Sequence, residues 1–285
     1  MILVTGATGR VGYRLMEALA DAGADVTAMV RVEAKAADLP GTPHHVVASF
    51  DEPPPAAVLR EFGQVFLLSP ELEEQAELET VFIDAIAAAG HRPRIVKICP
   101  DGFQDPGCEV RFMSSHRQVA MHLDALDLPV TYLASAMYME NLAGSAETIR
   151  RTGTIEAPAG QGRVGWVAAA DVARAAAHVL TGPGHENTTY VLTGPEALGY
   201  QDVAARFTAA FASQVDYQDQ PPEQARELML ANGLTHWEAD GNLERFEWIR
   251  QGGAATVTPA VGELTGAGPR SLQDWLGESR ASFSG

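Results

Sequence analysis

The opening thirty residues constrain the fold more tightly than any other stretch. Ile2-Leu3-Val4-Thr5 is a short apolar run that stops at glycine, and Gly6-Ala7-Thr8-Gly9-Arg10-Val11-Gly12 follows it. Val11, Leu15, Leu19 and Ala22 then recur with helical spacing, and Gly23 stands where that helix should end. Residues 25–30 read as a second strand. Strand, turn, helix and strand make one βαβ unit. The turn carries chemistry as well as shape. A helix N-terminus offers unpaired N–H groups and partial positive charge, which suit a pyrophosphate. Glycine is needed where a Cβ would block the phosphate or the approach of helix to strand. The spacing is Gly-x-x-Gly-x-x-Gly, not the Gly-x-Gly-x-x-Gly of the simplest dinucleotide fingerprint. Its place between strand and helix, at the head of a repeat, favours a dinucleotide cradle over an ordinary tight turn.

The alternation continues. Strands are predicted at 45–48, 65–68, 94–98 and 130–133, with helices at 53–62, 72–89 and 114–126 between them. Such a rhythm implies an α/β fold of Rossmann type, a parallel sheet with helices on both faces. Beyond Tyr138 it loosens. Helices are predicted at 141–151, 171–180, 201–211, 221–232 and 243–252, a glycine-rich loop at 160–165 and a strand at 189–192. The whole of 1–285 reads as one nucleotide-binding domain, with residues from about 139 onward adding a small, mostly helical C-terminal lobe for substrate.

Composition narrows the partners. With 285 residues, 46% of them hydrophobic, the chain can bury a sizeable core. A formal net charge of −17 repels phosphate backbones and argues against nucleic acid. Cys99 and Cys108 are the two cysteines and have no metal-type spacing, so neither a disulfide framework nor a metal site is expected. No run approaches the ~18 uninterrupted apolar residues of a membrane span, and Met1-Ile2-Leu3-Val4 reads as a strand rather than a signal peptide. A cytoplasmic monomer or homodimer is the expectation.

Arg31 ends the second strand. A carboxylate near this point grips the ribose 2′-hydroxyl of NAD, whereas an arginine accommodates a 2′-phosphate through charged contacts. Lys35 and Arg10 can add to the same pocket. The expected cofactor is therefore NADP(H), held by Gly6, Thr8, Gly9, Arg10, Val11, Gly12, Arg31 and Lys35. Ser69, at the end of the fourth strand, should lie beside the cofactor ribose, because parallel sheets bind ligands at their carboxyl edges.

The Gly6–Gly12 turn resembles that of the atypical short-chain dehydrogenase/reductases, and among them the NmrA-like proteins, including quinone-reductase-like members. Ala28-Met29-Val30-Arg31, Leu128-Pro129-Val130-Thr131-Tyr132-Leu133, Tyr138-Met139-Glu140-Asn141-Leu142, the stretch from Gly165 to Ala173, Tyr190-Val191-Leu192-Thr193-Gly194-Pro195 and the region from Leu264 to Trp275 are similar to the family in order and spacing. The resemblance implies a Rossmann domain, a small C-terminal lobe and a cleft between them. Some members reduce quinones or enones with NADPH; others bind the nucleotide without turnover and act as sensors.

The Tyr-x-x-x-Lys pair of ordinary short-chain dehydrogenases is missing, and Ser114-Ser115-His116-Arg117 stands in its place. That weakens alcohol oxidation but leaves hydride transfer open, since the cofactor carries that chemistry. His116 sits where quinone-reductase-like relatives place a histidine; it either donates to a substrate carbonyl or is a helix-surface residue. Lys97 interrupts the apolar strand Ile95-Val96-Lys97-Ile98. It either donates to the cofactor or a substrate oxygen, or reaches solvent. Phe103 is expected in a loop over the nicotinamide. Tyr138 and Trp166 either line a cleft for a flat aromatic or conjugated substrate or pack in the core. Cys99 reads as a buried, inert thiol. The function expected is reduction of a small carbonyl, enone or quinone-like acceptor, polyketide aromatics among them, with a non-catalytic NADP(H) sensor, or an enzyme of no net redox change, as the alternatives.

Overall fold

Ile2–Val4 forms strand β1 with all three side chains buried, as a strand covered on both faces requires. The computed structural model describes residues 1–41 and 43–283. Strands β2 (Val26–Val30), β3 (His44–Val47), β4 (Gln64–Leu67), β5 (Arg94–Pro100), β6 (Val130–Ser135) and β7 (Thr188–Leu192) join β1 in one sheet. Their order is β3-β2-β1-β4-β5-β6-β7. The pairs β2–β3, β1–β2, β1–β4 and β4–β5 are parallel. Burial follows position in the sheet: every residue of β2 and β6 is buried, whereas the edge strand β3 is largely exposed. The chain order reverses between β1 and β4, and that switch point opens a ligand crevice at the carboxyl ends of the two strands. Thr5 ties the two ends together. Its Oγ1 lies 3.0 Å from the carbonyls of Phe66 and Leu68 and accepts the Leu68 N–H at 2.9 Å.

Helix α1 (Arg10–Asp21) buries Val11, Gly12, Leu15, Met16 and Leu19 and packs on the alanine-rich helix Ala169–Thr181. Helices Gln75–Ala88 and Arg111–Ala125 complete the α/β alternation. The helix predicted from the prolines at 53–55 is only Ala56–Leu59.

Two compact units emerge, and each is built from separate pieces of chain. The first comprises Met1–Cys99, Ser114–Ala134 and Ala169–Tyr190; the second comprises Pro100–Met113, Ser135–Ala168 and Val191–Gly285. The expected lobe from about residue 139 is thus interrupted, since Ala169–Tyr190 belongs with the first unit and Pro100–Met113 with the second. Nor is the second unit simply helical. It holds a parallel pair of strands, Thr154–Ala157 with Asp216–Asp219, and an antiparallel pair, Arg163–Val164 with Leu198–Gly199. Its core gathers Ile155, Trp166, Val203, Phe207, Trp275 and Leu276. Residues Met139–Ser145 form a 3-10 turn before the helix Ala146–Thr152. The helix expected at 243–252 runs from His236 to Arg250, started by a reciprocal cap in which Thr235 accepts the Glu238 N–H. Among the described residues no helix is long and apolar enough to cross a membrane.

Candidate functional site

The glycine turn has the geometry its spacing implied. Gly6 adopts a left-handed φ of +62°, and its carbonyl accepts the Gly9 N–H at 2.9 Å. A Cβ on Gly6 would stand 2.8 Å from the Leu68 carbonyl oxygen, and one on Gly12 only 2.0 Å from the Gly6 carbonyl oxygen. These two glycines let α1 start directly against the ends of β1 and β4. Gly9 is the N-cap of α1, and no side chain caps the helix. Thr8, Gly9 and Arg10 are exposed there, while Val11 and Gly12 are buried. A helix N-terminus open to solvent and lacking Cβ atoms at the close approaches fits a pyrophosphate. Arg31 follows β2 and Lys35 lies in the 3-10 turn Glu33–Ala36; both are exposed, and neither forms an ion pair among the described residues. Their charge is available for a 2′-phosphate.

Next along the sheet is a polar cluster, every member of which belongs to the first unit. Lys97 on β5 pairs in register with Leu67 on β4. Its side chain has no solvent exposure, and neither has that of Glu79 on helix Gln75–Ala88. The Lys97 Nζ lies 3.0 and 3.1 Å from the two Glu79 carboxylate oxygens, 2.8 Å from the Ile98 carbonyl and 3.1 Å from His116 Nδ1. His116 is 4% exposed, and its Nε2 is 3.1 Å from Gln75 Nε2. Ser69 is half-buried; its hydroxyl donates to Glu79 Oε1 and accepts from Gln75 Nε2. Since Gly6 abuts Leu68 and Ser69 follows it, a continuous path of contacts links the glycine turn to the buried ion pair.

This arrangement revises the sequence reading of Lys97. An ammonium has three N–H donors, and here they are directed at Glu79, Ile98 and His116. It therefore neither reaches solvent nor has a donor left for a cofactor or substrate oxygen. His116 is buried, not a helix-surface residue. Glu79 and Gln75 were missed, because a carboxylate and an amide on a helix next to acidic surface residues look solvated in a linear sequence. Cys99, two residues beyond Lys97, is buried, and burial pushes its thiol up to about 12. It is inert at neutral pH, as expected.

In the second unit, Trp166 lies wholly inside the core. Its Nε1–H donates to the Leu198 carbonyl at 3.2 Å and its ring meets Tyr200 edge-on. The expectation that it lines a substrate cleft is thereby corrected: it is 1% exposed. Phe103 is buried as well, whereas Tyr138 is half-buried and its hydroxyl accepts from Ser135 Oγ at 3.0 Å. A cavity of about 390 Å³ in this unit is lined by Val110, Leu243, Phe246 and Trp248, with Glu109 and Glu247, and by none of the three predicted substrate residues. Asp101, in the same loop as Phe103, has its carboxyl raised above the usual range by burial, partly offset by the Gly102 N–H. No group of three His, Cys, Asp or Glu among the described residues converges as a metal site.

Comparison with known proteins finds relatives along almost the whole chain. An NAD(P)H azoreductase of Xenophilus azovorans is 30% identical, covering 99% of each chain. A (4-alkanoyl-5-oxo-2,5-dihydrofuran-3-yl)methyl phosphate reductase of Streptomyces griseus is 31% identical over 100% of this chain and 99% of the relative. The crystal structure of an NADPH-dependent quinone oxidoreductase from Escherichia coli, complexed with NADPH, superposes with a TM-score of 0.88 at 26% identity, covering 98% of this chain and 99% of that one. The family model for the NmrA-like family matches residues 1–248, so the likeness runs through both units and not the glycine turn alone: the chain belongs to the NmrA-like family.

Proposed function

We propose that the protein is an NADPH-dependent reductase of small, conjugated acceptors. The observation that carries the reading is the uncapped, glycine-walled N-terminus of α1, with the unpaired cation of Arg31 beyond β2. Backbone groups of Gly6, Thr8, Gly9, Arg10, Val11 and Gly12 would hold the pyrophosphate, Arg31 and Lys35 the 2′-phosphate, and Ser69 the ribose side of the cofactor. When bound, the reduced nicotinamide supplies the hydride. His116 is the residue of the cluster assigned to the acceptor, where an imidazole N–H stabilises developing negative charge. Lys97 acts on His116 and not on the substrate, since its donors are spent. Tyr138, half-buried, is assigned to the substrate side, whereas Phe103 is as buried as Trp166.

The acceptor class follows from the relatives. An azo bond, an oxo-dihydrofuran bearing an acyl group and a quinone are the acceptors their names give. All three are conjugated systems that take a hydride at one end and a proton at a heteroatom. A quinone, enone or azo compound is the substrate class proposed here.

The test is the loss of nicotinamide absorbance when the protein meets NADPH and a panel of quinones, enones and azo compounds, with cofactor binding measured in the same samples. Consumption with any of them is the expected result. Tight binding with no consumption across the panel would instead favour an NADP(H) sensor, the reading that the missing Tyr-x-x-x-Lys pair supports.

A further inference from the structure

A lysine and a glutamate with no solvent exposure are costly to bury, and such a pair is weak evidence for stability. We propose that Glu79 is a positioning residue which, acting through Lys97, fixes His116 as a neutral imidazole with its proton on Nε2. Its consequence for turnover rests on the reductase reading above; its geometry does not.

The argument is one of donors and acceptors. A charged lysine has three N–H groups and no lone pair. One of them faces His116 Nδ1 at 3.1 Å, so Nδ1 must present its lone pair. A second proton on the ring would set an N–H against the ammonium, so the ring stays neutral and its proton sits on Nε2. Opposite Nε2, at 3.1 Å, is the amide of Gln75. The oxygen of that amide is buried and is without a hydrogen-bond partner among the described residues. Amide oxygen and nitrogen are nearly interchangeable in shape, and turning the group end for end sets the oxygen on the Nε2–H. The amide then gives up its donations to Ser69 at 3.1 Å and to Glu79 Oε1 at 3.5 Å, while the Ser69 hydroxyl still donates to Glu79.

Glu79 decides the direction of this chain. Its two carboxylate oxygens, 3.0 and 3.1 Å from Nζ, hold the ammonium where one N–H faces Nδ1. Without them that N–H can turn away, and the ring proton is free to move to Nδ1. The edge that donates would then become the edge that accepts, and a substrate oxygen that displaced the Gln75 amide from Nε2 would meet no donor.

The experiment is nitrogen NMR of the full chain, labelled at histidine and free of cofactor, with the His116 signals assigned by difference from His116→Gln. The expected wild-type pattern is a single form, Nδ1 unprotonated and Nε2 protonated. Glu79→Gln should reverse or mix that pattern and lower kcat with NADPH and a quinone by about tenfold or more, leaving NADPH affinity unchanged. Because Glu79→Gln leaves a buried charge unpaired and can fail to fold, the double variant Glu79→Leu with Lys97→Met removes both charges, a change that is often tolerated; it should fold and show mixed tautomers. A wild-type ring protonated at Nδ1, or the wild-type pattern retained in the double variant, overturns the proposal. If no acceptor oxidises NADPH, the reductase reading fails, while the spectra still decide the role of Glu79.

Discussion

Arg31 and Lys97 show how differently two cations can serve one chain. Arg31 is exposed and unpaired at the end of β2, where a charged contact to a 2′-phosphate is worth about 1.5–3 kcal/mol. Arg31→Ala should therefore weaken NADPH binding by roughly 10–100-fold and leave NADH binding nearly unchanged, as titration calorimetry with the two cofactors would show. Equal losses would mean that Arg31 does not read the phosphate. Its position was legible because a strand end and a charge suffice to locate it. Lys97 was legible only as an anomaly. Its partner Glu79 lies 18 residues earlier on a helix, and no sequence period connects a strand to a helix that packs on it. Trp166 was misread for a related reason. A large aromatic beside glycines looks like a cleft wall, but its indole N–H finds the Leu198 carbonyl within the core.

At the level of elements, the turn between β1 and α1 is the most constrained part of the fold. A methyl group on Gly12 would meet the backbone of Gly6 and Ala7 at 2.0–2.9 Å. Backbone cannot swing aside as a flexible side chain can. Gly12→Ala should cost about 1–3 kcal/mol of stability, seen as a lower midpoint in denaturant, and should weaken NADPH binding as α1 is pushed from the turn. A variant with wild-type midpoint and affinity would show that the turn relaxes without consequence. The first βαβ unit could be read from sequence because its periods are long and its punctuation is glycine. The strand Asp216–Asp219 could not, since Asp216, Tyr217, Gln218 and Asp219 carry no apolar alternation and become a strand only by pairing with Thr154–Ala157. The start of helix His236–Arg250 was readable in Thr235-x-x-Glu238, but Gly241 and Asn242 within it weaken the helical signal.

Across the whole molecule, three buried acids and one half-buried one tie stability to alkaline pH. Burial pushes the Cys99 thiol from 9.0 to about 12 and the Tyr217 hydroxyl from 10.0 to about 12. The hydroxyls of Tyr132 and Tyr200 are also raised, chiefly by burial. In each case the folded value stands above the unfolded one, so the folded chain keeps a proton that the unfolded chain releases. This contribution to stability is full below the unfolded values of 9.0 to 10.0 and is lost as pH rises towards 12. Scanning calorimetry should find Tm falling steadily across that interval; a level Tm would show that these groups do not govern the alkaline limit. The parallel sheet and the family were visible in the rhythm of the chain. The division into two units was not, because it interleaves segments that no change of composition separates.

That interleaving also sets an order of manufacture. All pieces of the first unit exist once Tyr190 has been made, whereas the second also needs the chain up to its aromatic core residue Phe283. At ribosomal speeds of about 5–20 residues per second, the nascent protein spends roughly 5–20 s with every segment of its first unit made and its second unit unfinished. During that interval Pro100–Met113 and Ser135–Ala168 have been made but lack the later segments they pack with.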